Sequence, residues 1–262
     1  MTEGTILSTI DGAVATLTFN NPDRHNAMSL AMWRDAATSL QALAREEAVR
    51  VVILTGAGGK SFVSGADISK FDSERSTEVG VEAYAEATEQ LAQTLLNYPK
   101  ATIAMIRGFC IGGGVNIAVC CDLRVCDEKS RFAVPAAKLG LGYGFVHIQR
   151  LQDLVGPQYA LEILLTARQF DATEAREMGL VNRISPDAEI EKHVRGIADT
   201  IAANAPLTIR AAKRIIRELL KDASDRDLGA CELLVRQCFE SADYQEGRRA
   251  FMEKRKPVFK RR

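Results

Sequence analysis

Three consecutive glycines, Gly112, Gly113 and Gly114, follow a strand-like apolar segment (residues 102–106) and lead into an apolar helix-like one (residues 115–121). Backbone N–H groups at a helix N-terminus lack intrahelical acceptors and lie at the positive end of the helix dipole, so they favour an anion. A second loop of the same character follows the strand-like Val51-Val52-Ile53-Leu54. It runs through Gly56 to Gly59 and on to Ser64-Gly65-Ala66-Asp67-Ile68. Two such loops can hold one oxyanion between them. That is the chemistry of acyl-group activation, in which each fixed donor aimed at a developing oxyanion contributes roughly 3 to 4 kcal/mol.

The elements that must position these loops read as an α/β chain. Alternating residues over 5–10 and 14–19, with Asp11-Gly12 between them, predict a hairpin. Asn20-Asn21-Pro22-Asp23 breaks it, Ser29 is placed to cap a helix over 30–46, and 51–55 reads as a buried strand. A long helix over 79–96, a strand over 102–106, a helix over 115–121 and a strand over 123–126 continue an internal strand-strand-helix rhythm. From Tyr159 onward, residues 160–165, 172–178, 188–204 and 206–221 are helix-patterned, so the last third is expected to be nearly all helical.

The glycines fit no nucleotide-phosphate motif. Gly59-Lys60-Ser61 resembles the end of a P-loop, but that motif needs glycine where Leu54 stands. A dinucleotide fingerprint would need glycine at Ser61, Ile117 or Phe145, which argues against a nicotinamide-dependent enzyme. Gly108-Phe109-Cys110-Ile111-Gly112 does fit a cysteine form of the nucleophile elbow, with His147 or His193 as base, and leaves a Cys110-dependent hydrolase as an alternative. Against it, apolar neighbours raise a thiol's pKa rather than lower it.

Charge and cysteine usage narrow the partners. Thirty-four basic residues balance thirty-four acidic ones in 262 residues, which argues against a dedicated nucleic-acid binder. Arg210, Lys213, Arg214 and Arg217 share one helical face, and the chain from Lys254 to Arg262 is basic. Both read as solvated surface, or as an anchor for a phosphorylated ligand or a neighbouring subunit. Met1-Thr2-Glu3-Gly4 has no leader character, and the longest apolar stretch, around 109–121, is interrupted by glycines and too short to span a bilayer. A soluble, cytoplasmic chain with no membrane partner is the expectation. The six cysteines show no C-x-x-C pair and read as reduced, packed thiols, while three scattered histidines offer no metal-ligand spacing.

Taken together, Arg24-His25-Asn26-Ala27-Met28, Ser64-Gly65-Ala66-Asp67-Ile68, the run from Gly108 to Gly114, Cys121-Asp122-Leu123-Arg124, Lys138-Leu139-Gly140 and the run from Ala175 to Val181 resemble the crotonase (enoyl-CoA hydratase/isomerase) superfamily. Order and spacing hold over nearly the whole chain, including the ending from Ala250 to Pro257. The resemblance implies an α/β spiral of repeated strand-strand-helix units over residues 1–200, and a helical trimerisation region over 201–262. It further implies a homotrimer or dimer of trimers, an acyl-CoA thioester as ligand, and no cofactor beyond its coenzyme A moiety. By position, the N–H groups of Ala66 and Gly113 would bind the thioester oxygen as it becomes an enolate. Arg24, His25, Ala27, Ser64, Asp67, Ile68, Ile111 and Ala136 would line the substrate and coenzyme path; for Asp67 a helix-capping role is the alternative.

The resemblance breaks at two catalytic positions. Hydratases of this family carry one glutamate two residues after the triple glycine and another after the proline of the following loop; here these are Asn116 and Ala136, and no Asp or Glu occurs between Glu128 and Asp153. Asparagine can orient a water but cannot take its proton. Standard hydration is therefore not expected. The loop offers Tyr143 and His147 instead, and Tyr143 resembles the tyrosine that methylmalonyl-CoA decarboxylase, a crotonase relative, carries beside its substrate's carboxylate. Decarboxylation of a malonyl-type thioester and non-catalytic binding of acyl-CoA or RNA are the remaining alternatives, beside packed, structural roles for Tyr143 and His147.

Overall fold

The computed structural model describes residues 3–260, so Met1, Thr2, Arg261 and Arg262 lie outside the described residues. The chain opens with the expected antiparallel hairpin, β1 (Thr5–Asp11) and β2 (Val14–Asn20), turning at Gly12. Ser29 caps α1 (Leu30–Arg45) by accepting the Met32 N–H, and α1 buries Met32, Trp33, Ala36, Ala37 and Leu40, the helical spacing of one face. Then follow β3 (Val51–Gly56), β4 (Ser61–Val63), α2 (Phe71–Glu74), α3 (Glu78–Leu96), β5 (Ala101–Ile106), β6 (Phe109–Ile111), α4 (Gly113–Cys120), β7 (Leu123–Asp127) and β8 (Arg131–Ala133). The rest comprises α5 (Phe145–Thr166), β9 (Phe170–Asp171), α6 (Ala172–Glu177), β10 (Arg183–Ser185), α7 (Ile190–Ala202), α8 (Pro206–Leu219), α9 (Leu228–Glu240) and α10 (Ala242–Met252).

Two sheets result. The larger has the order β1-β2-β3-β5-β7-β10 and is parallel from β2 onward; the smaller has the order β4-β6-β8-β9. Each of the successive units β3-β4, β5-β6 and β7-β8 gives one strand to the large sheet and the next to the small one, and then passes into helix. This is the spiral of strand-strand-helix units that the family resemblance implies. The central strands β3 and β5 are buried along their length, which is why they read as nearly continuous apolar runs. One face packs on α1, α3 and α4; the other is covered by α7 through Ile190, Val194, Ala198 and Ala202, spaced at i+4.

Two boundaries differ from the sequence expectation for physical reasons. The helix expected from 115 begins at Gly113, so the glycines form its first turn. A larger difference is α5, expected only from about residue 160 and found from Phe145, so that His147 lies on a helix and not in a loop. Gly156, at φ 74° and ψ 166°, kinks this element, and Pro157 starts the helix again beyond it. That glycine-proline pair interrupts the 3.6-residue pattern.

Three of the four cations on the basic face of α8 are engaged within the chain, Arg210 remaining exposed. Lys213 pairs with Asp122, Arg214 with Glu218, and Arg217 lies 3.9 Å from Asp122. A further buried cation closes the far end of α4: the Arg124 guanidinium donates to the carbonyls of Leu180 and Cys121, each at 2.7 Å, and of Ala118 at 3.4 Å. Four cysteines are buried, Cys231 and Cys238 are half-buried, and all six are free thiols. No helix among the described residues is long and apolar enough to cross a membrane.

Candidate active site

A cavity of about 500 Å³ lies between the N-terminus of α4, the loop through Ser64, Gly65 and Ala66, the exposed face of α3, and the segment from Pro135 to His147. Ala66 and Gly113 both line it, and no described residue accepts a hydrogen bond from either backbone N–H. The local fold explains this. Gly113 is the first residue of α4, one of the four positions whose N–H has no partner within the helix. A parallel bridge from Met28 to Ala66 uses the flanking groups, with Met28 donating to the Gly65 carbonyl and Asp67 to that of Met28, and leaves the Ala66 N–H outside the ladder.

The glycine requirement is steric as well as conformational. Gly112 adopts φ +52° at the turn into α4, and a Cβ on Gly114 would fall 2.1 Å from the Val63 carbonyl oxygen. The two donor loops therefore pack closely enough to address one ligand atom.

Polar groups are few on the remaining wall. Asn116 and Ala136, the two positions at which the sequence resemblance implied glutamates in hydratases, both line the cavity. The Tyr143 hydroxyl donates to Asn116 Oδ1 and lies 3.2 Å from the Gly112 carbonyl oxygen. Burial pushes the Tyr143 phenol far above its ordinary pKa, so near neutrality it is an uncharged donor and not a base. His147 packs its ring 5.9 Å from that of Tyr143, and its Nδ1 is buried without a hydrogen-bond partner among the described residues. Burial lowers the His147 pKa, opposed by the negative charge of Glu89 on α3, which lines the same cavity. The neutral imidazole is thus a group in this cavity able to accept a proton near neutral pH.

Of the residues expected from sequence, Ser64, Ala66, Ile68, Ile111, Gly113, Asn116, Ala136 and Tyr143 meet in this cavity. Arg24, His25, Ala27 and Asp67 stand behind it. Asp67 caps the turn Ile68–Lys70 by accepting the Ser69 N–H, and its carboxylate pairs with Arg24 at 2.9 Å. Burial raises the Asp67 pKa, but hydrogen bonds from Ser69 and Arg24 outweigh it and leave the carboxyl below its usual value. His25 Nδ1 lies 2.9 Å from Ser61 Oγ, and Ala27 is buried. Cys110 is wholly buried on β6, away from the cavity lining, and burial drives its pKa well above that of a free thiol.

Sequence reading missed one wall entirely. Trp33 of α1, Arg75 after α2, and Tyr84 and Glu89 of α3 all line the cavity. The signal was present in α3, where Val81, Ala85 and Glu89 recur at i+4 on one face. Trp33, the one tryptophan of the chain, also needed a partner for its N–H, and donates to Tyr84 Oη at 2.6 Å.

Known proteins resemble this chain closely. A short-chain-enoyl-CoA hydratase from Clostridium acetobutylicum is 35% identical over 246 residues, 94% of this chain and 94% of that relative. A crotonyl-CoA hydratase from Syntrophomonas wolfei is 33% identical, again over 94% of each chain. Among solved structures, an enoyl-CoA hydratase/carnithine racemase from Magnetospirillum magneticum superposes with a TM-score of 0.93 at 38% identity, covering 100% of this chain and 97% of that one. The sequence also matches the family Enoyl-CoA hydratase/isomerase over residues 9–262. With the spiral fold, two donor loops at one cavity and family similarity along its length, the chain belongs to the enoyl-CoA hydratase/isomerase family, the crotonase superfamily.

Proposed function

We propose that this chain acts on an acyl-CoA thioester by forming an enolate, with the N–H groups of Ala66 and Gly113 holding the thioester oxygen and His147, not a carboxylate, exchanging the proton. The observation that carries this reading is the cavity's composition. Two N–H groups without acceptors and a neutral imidazole face the same space, while Asn116 and Ala136 supply no acid or base. The proton leaves carbon for an imidazole nitrogen, the electron pair moves onto the thioester oxygen, and return of the proton to another carbon shifts a double bond. No cofactor beyond the coenzyme A moiety enters this scheme.

The test is mass spectrometry on a panel of enoyl-, malonyl- and hydroxyacyl-CoA thioesters in deuterated water. Deuterium should enter beside the carbonyl of at least one of them. A panel that neither turns over nor exchanges would sink the proposal. The malonyl members probe a second reading, loss of CO₂ to give the same enolate, which a neutral, donating Tyr143 favours because it can hydrogen-bond a carboxylate.

The assignment of His147 has a pH signature. Because burial depresses its pKa below the ordinary value of about 6.5, the neutral base persists as pH falls through 6.5, and activity is lost only further into acid. We expect an acid limb with its midpoint below pH 6.5 in the kcat/KM profile, and loss of that limb in His147→Ala. A profile identical in the variant would refute the role.

We propose also that the working unit is a homotrimer or dimer of trimers assembled through the helices beyond residue 200. Phe251 and Met252 are 83% and 80% exposed, and an apolar groove of about 890 Å³ opens between α8, α9 and α10. Surfaces of this kind are covered in stable proteins. Light scattering at micromolar concentration should give three or six chains; a monomer would contradict the assignment.

A further inference from the structure

Arg75 is a cation built into the catalytic cavity. It stands just beyond α2, with its guanidinium carbon 4.3 Å from the centre of the Phe71 ring and 3.5 Å from that of Tyr84. Its Nε is buried and makes no hydrogen bond, and no ion pair is formed with a described carboxylate. The adjacent Glu74 turns away to accept the Leu30 N–H at 3.1 Å. The Tyr84 hydroxyl is likewise committed, accepting from Trp33 and donating to the Met28 carbonyl. A half-buried cation with aromatic faces on two sides, its Nε unsatisfied and no described carboxylate paired with it calls for an anion from outside the chain.

The location says which part of a ligand supplies it. A Cβ on Gly113 would lie 3.0 Å from the Trp33 ring, Trp33 meets Tyr84 edge to face at 6.3 Å, and Tyr84 meets Arg75. Arg75 therefore lies one aromatic step past Trp33 from the oxyanion donor, along the wall that an acyl chain leaving Gly113 would follow. Resting on the acyl-CoA reading above, we propose that Arg75 binds a carboxylate at the distal end of the acyl chain, which makes the substrate class dicarboxylic acyl-CoA thioesters.

The test is calorimetric binding of unreactive, length-matched pairs to the wild-type protein: butyryl- with succinyl-CoA, pentanoyl- with glutaryl-CoA, and hexanoyl- with adipoyl-CoA. At one length or more, the dicarboxylic member should bind roughly 10- to 100-fold tighter, the range of a charge-assisted hydrogen bond in a partly buried site. Arg75→Met should abolish that preference, Arg75→Lys should retain part of it, and circular dichroism checks that both variants fold. Equal binding within every pair, or a preference that survives Arg75→Met, overturns the proposal while leaving the acyl-CoA reading intact. If Arg75→Met weakens both members of each pair and free coenzyme A equally, Arg75 serves the coenzyme phosphates and the proposal also fails. Absence of binding by every thioester would overturn the acyl-CoA reading and this proposal with it.

Discussion

Proline at position 113 is expected to lower kcat/KM on any thioester substrate by about 10²- to 10³-fold relative to alanine at the same position, the effect of removing one oxyanion donor. The comparison with alanine accounts for the Cβ. Both variants place a Cβ about 3.0 Å from the Trp33 ring, but only proline lacks the N–H and puts its ring Cδ in place of the hydrogen. Position 113 is also the first residue of α4, where proline suits the helix, so the fold should survive. Steady-state kinetics on both variants, with circular dichroism as control, decides the matter. Equal activity of proline and alanine at this site would remove Gly113 from the mechanism.

The second large expectation concerns hydration. On the proposed reading, in which Asn116 and Ala136 stand where the sequence resemblance implies catalytic glutamates, crotonyl-CoA should be hydrated slowly, because each absent, well-placed carboxylate removes roughly 10² to 10⁴ in rate. Glu89 lines the same cavity but is an exposed residue of α3. Whatever reaction is fast should depend on the Tyr143 hydroxyl more than on Asn116. Tyr143→Phe leaves the half-buried Asn116 Oδ1 without its donor, at most roughly 1 to 3 kcal/mol, the cost of a fully buried unpaired acceptor, whereas Asn116→Ala leaves a hydroxyl still within reach of the Gly112 carbonyl. Stopped-flow hydration and the fastest panel reaction, measured on both variants, give the comparison. Rapid hydration by the wild type, indifferent to Tyr143→Phe, would mean that an acid-base pair acts from another wall.

The donor loops were legible because their signals are local. Glycine runs after apolar strands are contiguous in sequence, and Gly112, Gly113 and Gly114 each have a conformational or steric reason to lack a side chain. The Ser29 cap and the first hairpin were legible for the same reason. The short strands β4, β6 and β8, at three residues each, fall below the length at which alternation can be read. The wall of Trp33, Arg75, Tyr84 and Glu89 was hidden because it is assembled through tertiary contact. Trp33 meets Tyr84 51 positions away, a separation that no spacing rule reaches. His147 was seen as a candidate but placed in a loop, since Gly156 and Pro157 break the helical pattern of α5.

The buried Arg124 has an electrical consequence. Because α4 has eight residues, it is only about 12 Å long, so its two ends sense one another across a medium that screens poorly. At the rear, the Cys121 and Ala118 carbonyls, which would otherwise present partial negative charge, are covered by a guanidinium. At the front, the Gly113 N–H remains bare. The helix is thus a battery with one terminal sealed: its negative pole is cancelled inside the protein, its positive pole is exposed to the ligand, and Arg124 adds a full charge of the same sign behind it. On the proposed reading, negative charge gathering on a thioester oxygen at the open end meets the exposed positive pole of α4, held in place before any substrate arrives.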